Sequence, residues 1–282
     1  MKNPVFLKLF LILFLIPLII SCDKDKEETI RDSDIDTMTD EAIASHIFND
    51  VFAQVSIGGW LADQAIRTPV KSVSAAEGGA CPDITITPFN TTEWPKTVVL
   101  DFGDQCIVDG ITRAGKIIIT ASKRFWEKGS EWSIEFDDFY FQNHRIQGTK
   151  SVSFNGRNED NNFNWDISVQ DAVITSPAQA SIQWSAERNR EWIDGDHTPL
   201  NPANNEYLIR GTGSGISSAG IIYSTTIREP LNILLSCPWV RSGVLVIDAA
   251  GRPETEVDFG DGECNSSATI TVNGQSTEIS LE

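Results

Sequence analysis

The chain has 282 residues, with 40 acidic against 22 basic side chains and a formal charge of −18. That balance excludes nucleic acid as a partner, because phosphate recognition needs a basic surface, and it repels anionic lipid headgroups. Hydrophobic residues make up 40% of the chain, enough for a sizeable core.

The opening, MKNPVFLKLFLILFLIPLIISC, joins Lys2 and Lys8 to an apolar run from Leu9 to Ile20, broken by Pro17. The run is short for a bilayer span and suits the apolar region of a secretory signal over residues 1–21. Ile19-Ile20-Ser21-Cys22 follows the order of a bacterial lipobox. Its small residue lets the peptidase reach the bond, and the Cys22 thiol accepts diacylglycerol. Lipidation at Cys22 is expected, and its acyl chains (palmitate among them) would each add roughly 0.8 kcal/mol per buried methylene. The membrane is then a partner through the N-terminal lipid.

Residues 23–41 hold nine carboxylates, three basic groups and no aromatic ring. Such a stretch buries too little surface to fold alone, so 22–38 reads as an acidic flexible tether. An acidic run behind the lipidated cysteine suits outer-membrane, cell-surface display. Asp23 directly after Cys22 leaves a periplasm-facing location as the alternative.

Ile43, Ile47, Val51 and Val55 then recur every four residues, with Phe48 and Phe52 widening the stripe. The pattern predicts one amphipathic helix in segment 39–67, opened near Thr37 and Asp40 and stopped by Gly58-Gly59. Ser72 to Gly79, inside 68–80, reads as a linker.

Beyond it the period changes to two. Phe163, Trp165, Ile167 and Val169 alternate with polar residues, as do Trp132, Ile134 and Phe136, and Ile182 and Trp184. Asp109-Gly110, Asn155-Gly156, Asp194-Gly195 and Asn273-Gly274 supply hairpin signals. Residues 81–282 are therefore expected to form a mainly β, antiparallel domain of about 12–14 strands, a β-sandwich or β-meander.

A phrase is repeated in this domain. Cys81-Pro82 leads through two strands to DFGDQC, ending at Cys106; Cys237-Pro238 leads likewise to DFGDGEC, ending at Cys264. Each DFG reads as strand end plus turn, with phenylalanine inward and aspartate outward. A kinase reading fails, since the catalytic-loop motif and the glycine-rich phosphate loop are missing in their required order. In an exported chain the four cysteines are expected to pair. Of three possible connectivities the repeat favours Cys81–Cys106 and Cys237–Cys264, each contributing roughly 3.5 kcal/mol in the loop-entropy picture. A zinc site competes, but closely spaced cysteine pairs are missing. Asp101, Asp104 and Asp109 at one turn, and Asp258, Asp261 and Glu263 at the other, offer oxygens for calcium without the usual loop spacing.

Further residues extend the pattern: Gly110, Arg113, Gly115, Lys116 and Ile117; Phe139, Phe141, Gly148 and Thr149; Trp184, Trp192 and Gly195; Gly211 to Gly215; and Cys237-Pro238-Trp239. From Cys81 to the C terminus the chain resembles a large group of uncharacterised Gram-negative surface lipoproteins carrying a repeated Cys-Pro … DFG-x-x-C β motif. The resemblance implies an exported, β-rich lipoprotein and transfers no activity.

Two function classes follow. One is a non-catalytic surface module for adhesion, envelope architecture or capture of a protein or polymer. The other is a glycan-binding or glycan-cleaving protein, with eight tryptophans to stack on sugars and Glu131, Glu135, Asp137 and Asp138 as candidate carboxylates. Trp132, Trp165 and Trp184 fall in inward phases, whereas Trp126 and Trp192 neighbour Lys123, Arg124, Arg188 and Arg190. An aromatic ligand site is expected first at Trp126 and Trp192, with cation–π contacts on a sheet surface. His144 and His197 lack a nucleophile elbow and read as turn or surface residues.

Overall fold

The computed structural model describes residues 32–67, 73–76, 80–108, 110–198 and 202–281. The expected signal peptide, Cys22, Asp109 and residues 22–31 of the tether lie outside them. Among the described residues one α-helix, α1 (Asp32–Ala65), precedes fifteen strands, with a short 3-10 turn at Pro202–Asn204 between the ninth and tenth. These are β1 (Val73–Ala76), β2 (Ala80–Thr87), β3 (Lys96–Asp101), β4 (Cys106–Val108), β5 (Ile111–Ala121), β6 (Ser130–Phe141), β7 (His144–Arg157), β8 (Phe163–Thr175), β9 (Ser181–Asp194), β10 (Glu206–Ile216), β11 (Ile222–Leu234), β12 (Ser242–Ala249), β13 (Thr255–Asp261), β14 (Ser267–Val272) and β15 (Gln275–Ser280).

The strands form one open antiparallel sheet in chain order, with β4 paired beside the main path to β5. Of the two architectures expected, the meander is present and the sandwich is not. The helix fills the place of a second sheet: Ile47, Phe48, Val51, Phe52 and Val55 share one continuous core with residues from β2 to β14. The inward phases hold, with Trp132, Trp165 and Trp184 at 1%, 0% and 4% exposure. Full burial of a large apolar side chain contributes about 1.5–3 kcal/mol, so this shared face dominates the helix–sheet contact.

Three local expectations are corrected. First, α1 begins at Asp32, inside the stretch read as tether, and runs through Gly58-Gly59 to Ala65. The glycines permit close approach. A Cβ at Gly58 would lie 2.5 Å from Leu100 Cδ2, and one at Gly59 2.1 Å from Phe125 Cδ1. Second, β1 lies within the segment read as linker and pairs with β2. Third, Asn155-Gly156 makes a bulge inside β7, opposite Asn164, while the β7–β8 turn is built on Asn158 to Asn162. Asn273-Gly274 does make a two-residue hairpin, with φ of 51° and 78°, the left-handed pair that such turns require.

Both disulfides join the partners that the repeat favours, Cys81–Cys106 and Cys237–Cys264, with Cα atoms 5.8 Å apart in each. One ties β2 to β4 near the start of the sheet, and the other ties the turn ahead of β12 to the turn after β13 near its end. Phe102 and Phe259 point inward at 2% and 8% exposure.

Candidate functional site

The inner face of the sheet carries cations as well as apolar groups. On β9 the even-numbered residues Ile182, Trp184, Ala186, Arg188, Arg190 and Trp192 alternate toward the helix. Lys150 on β7 and Arg113 on β5 are also buried. They meet polar groups of α1. Arg113 Nε donates to Asp50 Oδ2 at 2.8 Å, Lys150 Nζ donates to the Phe48 carbonyl at 2.7 Å, and Arg190 donates to Asn49 Oδ1. Glu41 accepts from Trp184 Nε1 at 2.7 Å and from Arg188 Nη2 at 3.0 Å. Asp40 accepts from the Ser218 backbone at 2.6 Å, and Arg252 pairs with Asp34. Acidic residues near the start of α1 also suit the helix dipole.

These charges sit in a medium that penalises them. Burial pushes the Glu41 carboxyl above its ordinary 4.5, with Arg188 pulling it back. Burial pulls the Lys150 amine well below 10.5; the nearby Arg190 charge adds to that and Asp50 opposes it. Arg190 is drawn down to about 10 by burial. The glycines of β10 make room for this cluster. A Cβ at Gly213 would lie 2.7 Å from Thr225 Oγ1 and 3.1 Å from Arg188 Nη2, and one at Gly215 2.8 Å from the Tyr223 hydroxyl.

Trp126 and Trp192, the expected ligand residues, do come together, with ring centroids 6.0 Å apart. They lie toward the core, however, and Trp192 is only 4% exposed. The cations expected to cap them on a sheet surface are elsewhere: Arg188 is paired with Glu41, and Arg190 stacks 4.3 Å from the Phe52 ring centroid and 4.6 Å from that of Tyr207. Trp126 and Trp192 help to wall a cavity of about 20 Å³, together with Phe52, Trp165, Tyr207 and Asn205. Ser56 and Leu235 also border it. Trp192 stacks on Tyr207 at 5.7 Å, and Trp126 meets Trp165 edge-on at 5.7 Å. The inward parity of β9 in the sequence was the signal for Arg188 and Arg190.

A second, wider depression of about 290 Å³ lies over β8 to β11, with Asp171, Gln183, Ser185 and Ser214 around Trp184 and Tyr223.

The remaining candidates have structural or solvent-exposed settings. Asp101 Oδ1 accepts from the Gly103 amide at 2.9 Å, and its carboxylate pairs with Lys116 at 3.0 Å. These contacts hold the Asp101 carboxyl below its usual range, the Gly103 bond first among them. Asp258 repeats the turn bond to Gly260 at 2.9 Å. Asp104 and Asp261 are exposed. Among the described residues, no three His, Cys, Asp or Glu side chains converge to hold a metal ion. Glu131 and Glu135 lie on the exposed face of β6, and Asp138 pairs with Arg145 at 3.2 Å. His144 contacts the Gln142 carbonyl through Nδ1 at 3.1 Å, and His197 is almost fully exposed beside Asp196. Among the described residues, no helix is long and apolar enough to cross a membrane.

Comparison with protein-family models, curated proteins and solved structures finds no match to this chain.

Proposed function

We propose that this chain is a lipid-anchored, surface-displayed binding or envelope-structural module that performs no catalysis. The observation that carries the reading is the way α1 is held. The segment that follows Cys22 and its tether enters the sheet and is fixed by Asp34, Asp40, Glu41, Asn49 and Asp50. A membrane attachment at Cys22 would thus be joined firmly to the whole β body, as a display scaffold requires. The aspartates of both DFG turns are engaged in turn hydrogen bonds, consistent with a structural use of that motif.

The test is metabolic labelling with an alkyne-bearing palmitate in the native host, followed by protease treatment of intact cells. Cys22→Ala is expected to abolish labelling, and the wild-type body should be cleaved without lysis. A labelled protein that resists protease until the envelope is opened would place it facing the periplasm. Retained label in Cys22→Ala would overturn lipid anchoring there.

Glycan binding is the second reading, supported by the depression bordered by Asp171, Gln183, Ser185 and Ser214, with Trp184 and Tyr223 buried beneath it. Convergent polar side chains can hydrogen-bond the hydroxyls of a sugar. A glycan array probed with wild type and with Gln183→Ala checks it. Sugar signals that persist unchanged in the variant would count against this location.

A further inference from the structure

We infer that the aromatic cavity between α1 and the inner face of the sheet is a binding site for one small, compact anion of halide size. Five buried polar atoms without a protein partner belong to residues that wall it: Ser56 Oγ, Trp126 Nε1, Trp165 Nε1, Trp192 Nε1 and Asn205 Oδ1. The contrast with the other buried indoles is informative. Trp132 Nε1 donates to Ser130 Oγ at 3.0 Å and Trp184 Nε1 to Glu41 at 2.7 Å. The three indoles with unmet donors all line this one cavity. Each buried polar group left without a partner is costly, so a resident acceptor is favoured.

Size and donor count then select the acceptor. A volume of about 20 Å³ suits one water-sized particle, since a single water needs roughly 10–15 Å³. A water accepts two hydrogen bonds, fewer than the three indole donors present, whereas a spherical anion accepts from all of them. Ser56 can donate as well. Asn205 Oδ1 opposes an anion as placed. The Asn205 amide bonds the Tyr207 hydroxyl through Nδ2 at 3.4 Å, and a half-turn would present Nδ2 to the anion while Oδ1 accepts from Tyr207.

Charge points the same way. Arg190 abuts the walls Phe52 and Tyr207, and its Nε and Nη1 have no hydrogen-bond partner among the described residues. Lys150 Nζ lies 5.4 Å from the Phe52 ring centroid. Asp50, the carboxylate acting on Lys150, is engaged by Arg113. Among the described residues, no carboxylate walls the cavity. A net-acidic protein therefore has a locally cationic interior.

The test is thermal unfolding of the full chain in detergent, in sodium bromide against sodium gluconate at equal ionic strength. Gluconate is too large for the cavity, so the pair separates occupancy from screening. Saturating bromide is expected to raise Tm by about 5 °C over gluconate. Trp126→Phe, which keeps a ring at a half-buried position, and Ser56→Ala should each weaken the apparent bromide affinity several-fold. Crystals in bromide should show an anomalous peak within hydrogen-bond reach of the indole nitrogens. Equal Tm in the two salts, an undiminished bromide effect in both variants, or a cavity holding only water in bromide crystals would each overturn the site. The anion site depends on neither lipid anchoring nor glycan binding.

Discussion

At the scale of single residues, what opposes a side chain decides its role. Gly59→Ala would gain about 1 kcal/mol of helix propensity, but its methyl must displace the buried Phe125 ring from 2.1 Å. Overpacking of that kind costs about 1–3 kcal/mol, so a net loss of up to about 2 kcal/mol is expected in denaturant titration. A stabilised variant would show that Phe125 moves freely. Lys150 gives the opposite case. Lys150→Met removes a buried cation and loses one bond to the Phe48 carbonyl, so stability should stay level or rise by about 1–2 kcal/mol. The folded amine sits below its ordinary 10.5. The unfolded chain therefore binds the proton more tightly, and wild-type stability grows as pH rises from the folded pKa toward 10.5. The gap between wild type and Lys150→Met should narrow over that window; a gap that widens would contradict a destabilising buried cation. The apolar inward residues were legible from alternation. The cations Arg113, Lys150, Arg188 and Arg190 share the same inward face, whereas the sequence pointed Arg188 and Arg190 to the sheet surface, because charge normally marks the solvent side.

At the scale of elements, the helix is where sequence reasoning and structure part. Its apolar stripe was plain, but its ends were not. Acidic residues 32–38 look like solvated chain until Arg252, Ser218 and Arg188 on distant elements meet Asp34, Asp40 and Glu41. Gly58-Gly59 looks like a stop until Leu100 and Phe125 are seen pressing on it. Both facts are tertiary and leave no local pattern. Arg188→Leu would leave the Glu41 carboxylate buried with Trp184 and without its cation, a loss of about 3–5 kcal/mol. Adding Glu41→Gln should restore most of it, because the amide oxygen still accepts from Trp184. The Glu41 carboxyl already titrates above 4.5 in the fold. Its proton is held more tightly folded than unfolded, so the deficit of Arg188→Leu should shrink as pH falls through the folded pKa toward 4.5. Urea midpoints of the three variants at two pH values check the cycle; a deficit that grows on acidification would show that Glu41 carries no buried charge.

At the scale of the whole molecule, the described residues form a single sheet of fifteen strands braced near both ends. The repeated Cys-Pro and DFG phrases made these two pairs legible, since each copy frames one adjacent strand pair. The packing of α1 on the sheet's inner face was not legible, because alternation tells which face is inward and not what covers it. Cys237→Ser/Cys264→Ser should cost roughly 3.5 kcal/mol, with proteolysis beginning near β12–β13; first cleavage at β2–β3 would show that the second bridge is not what secures that end. The placement of α1 has a mechanical meaning too. Tension arriving ahead of Asp32 runs lengthwise through α1, so the contacts of Asp34, Asp40, Glu41, Asn49 and Asp50 resist it jointly, as a bolt resists withdrawal. A strand torn from the open rim at β15 would instead give way rung by rung.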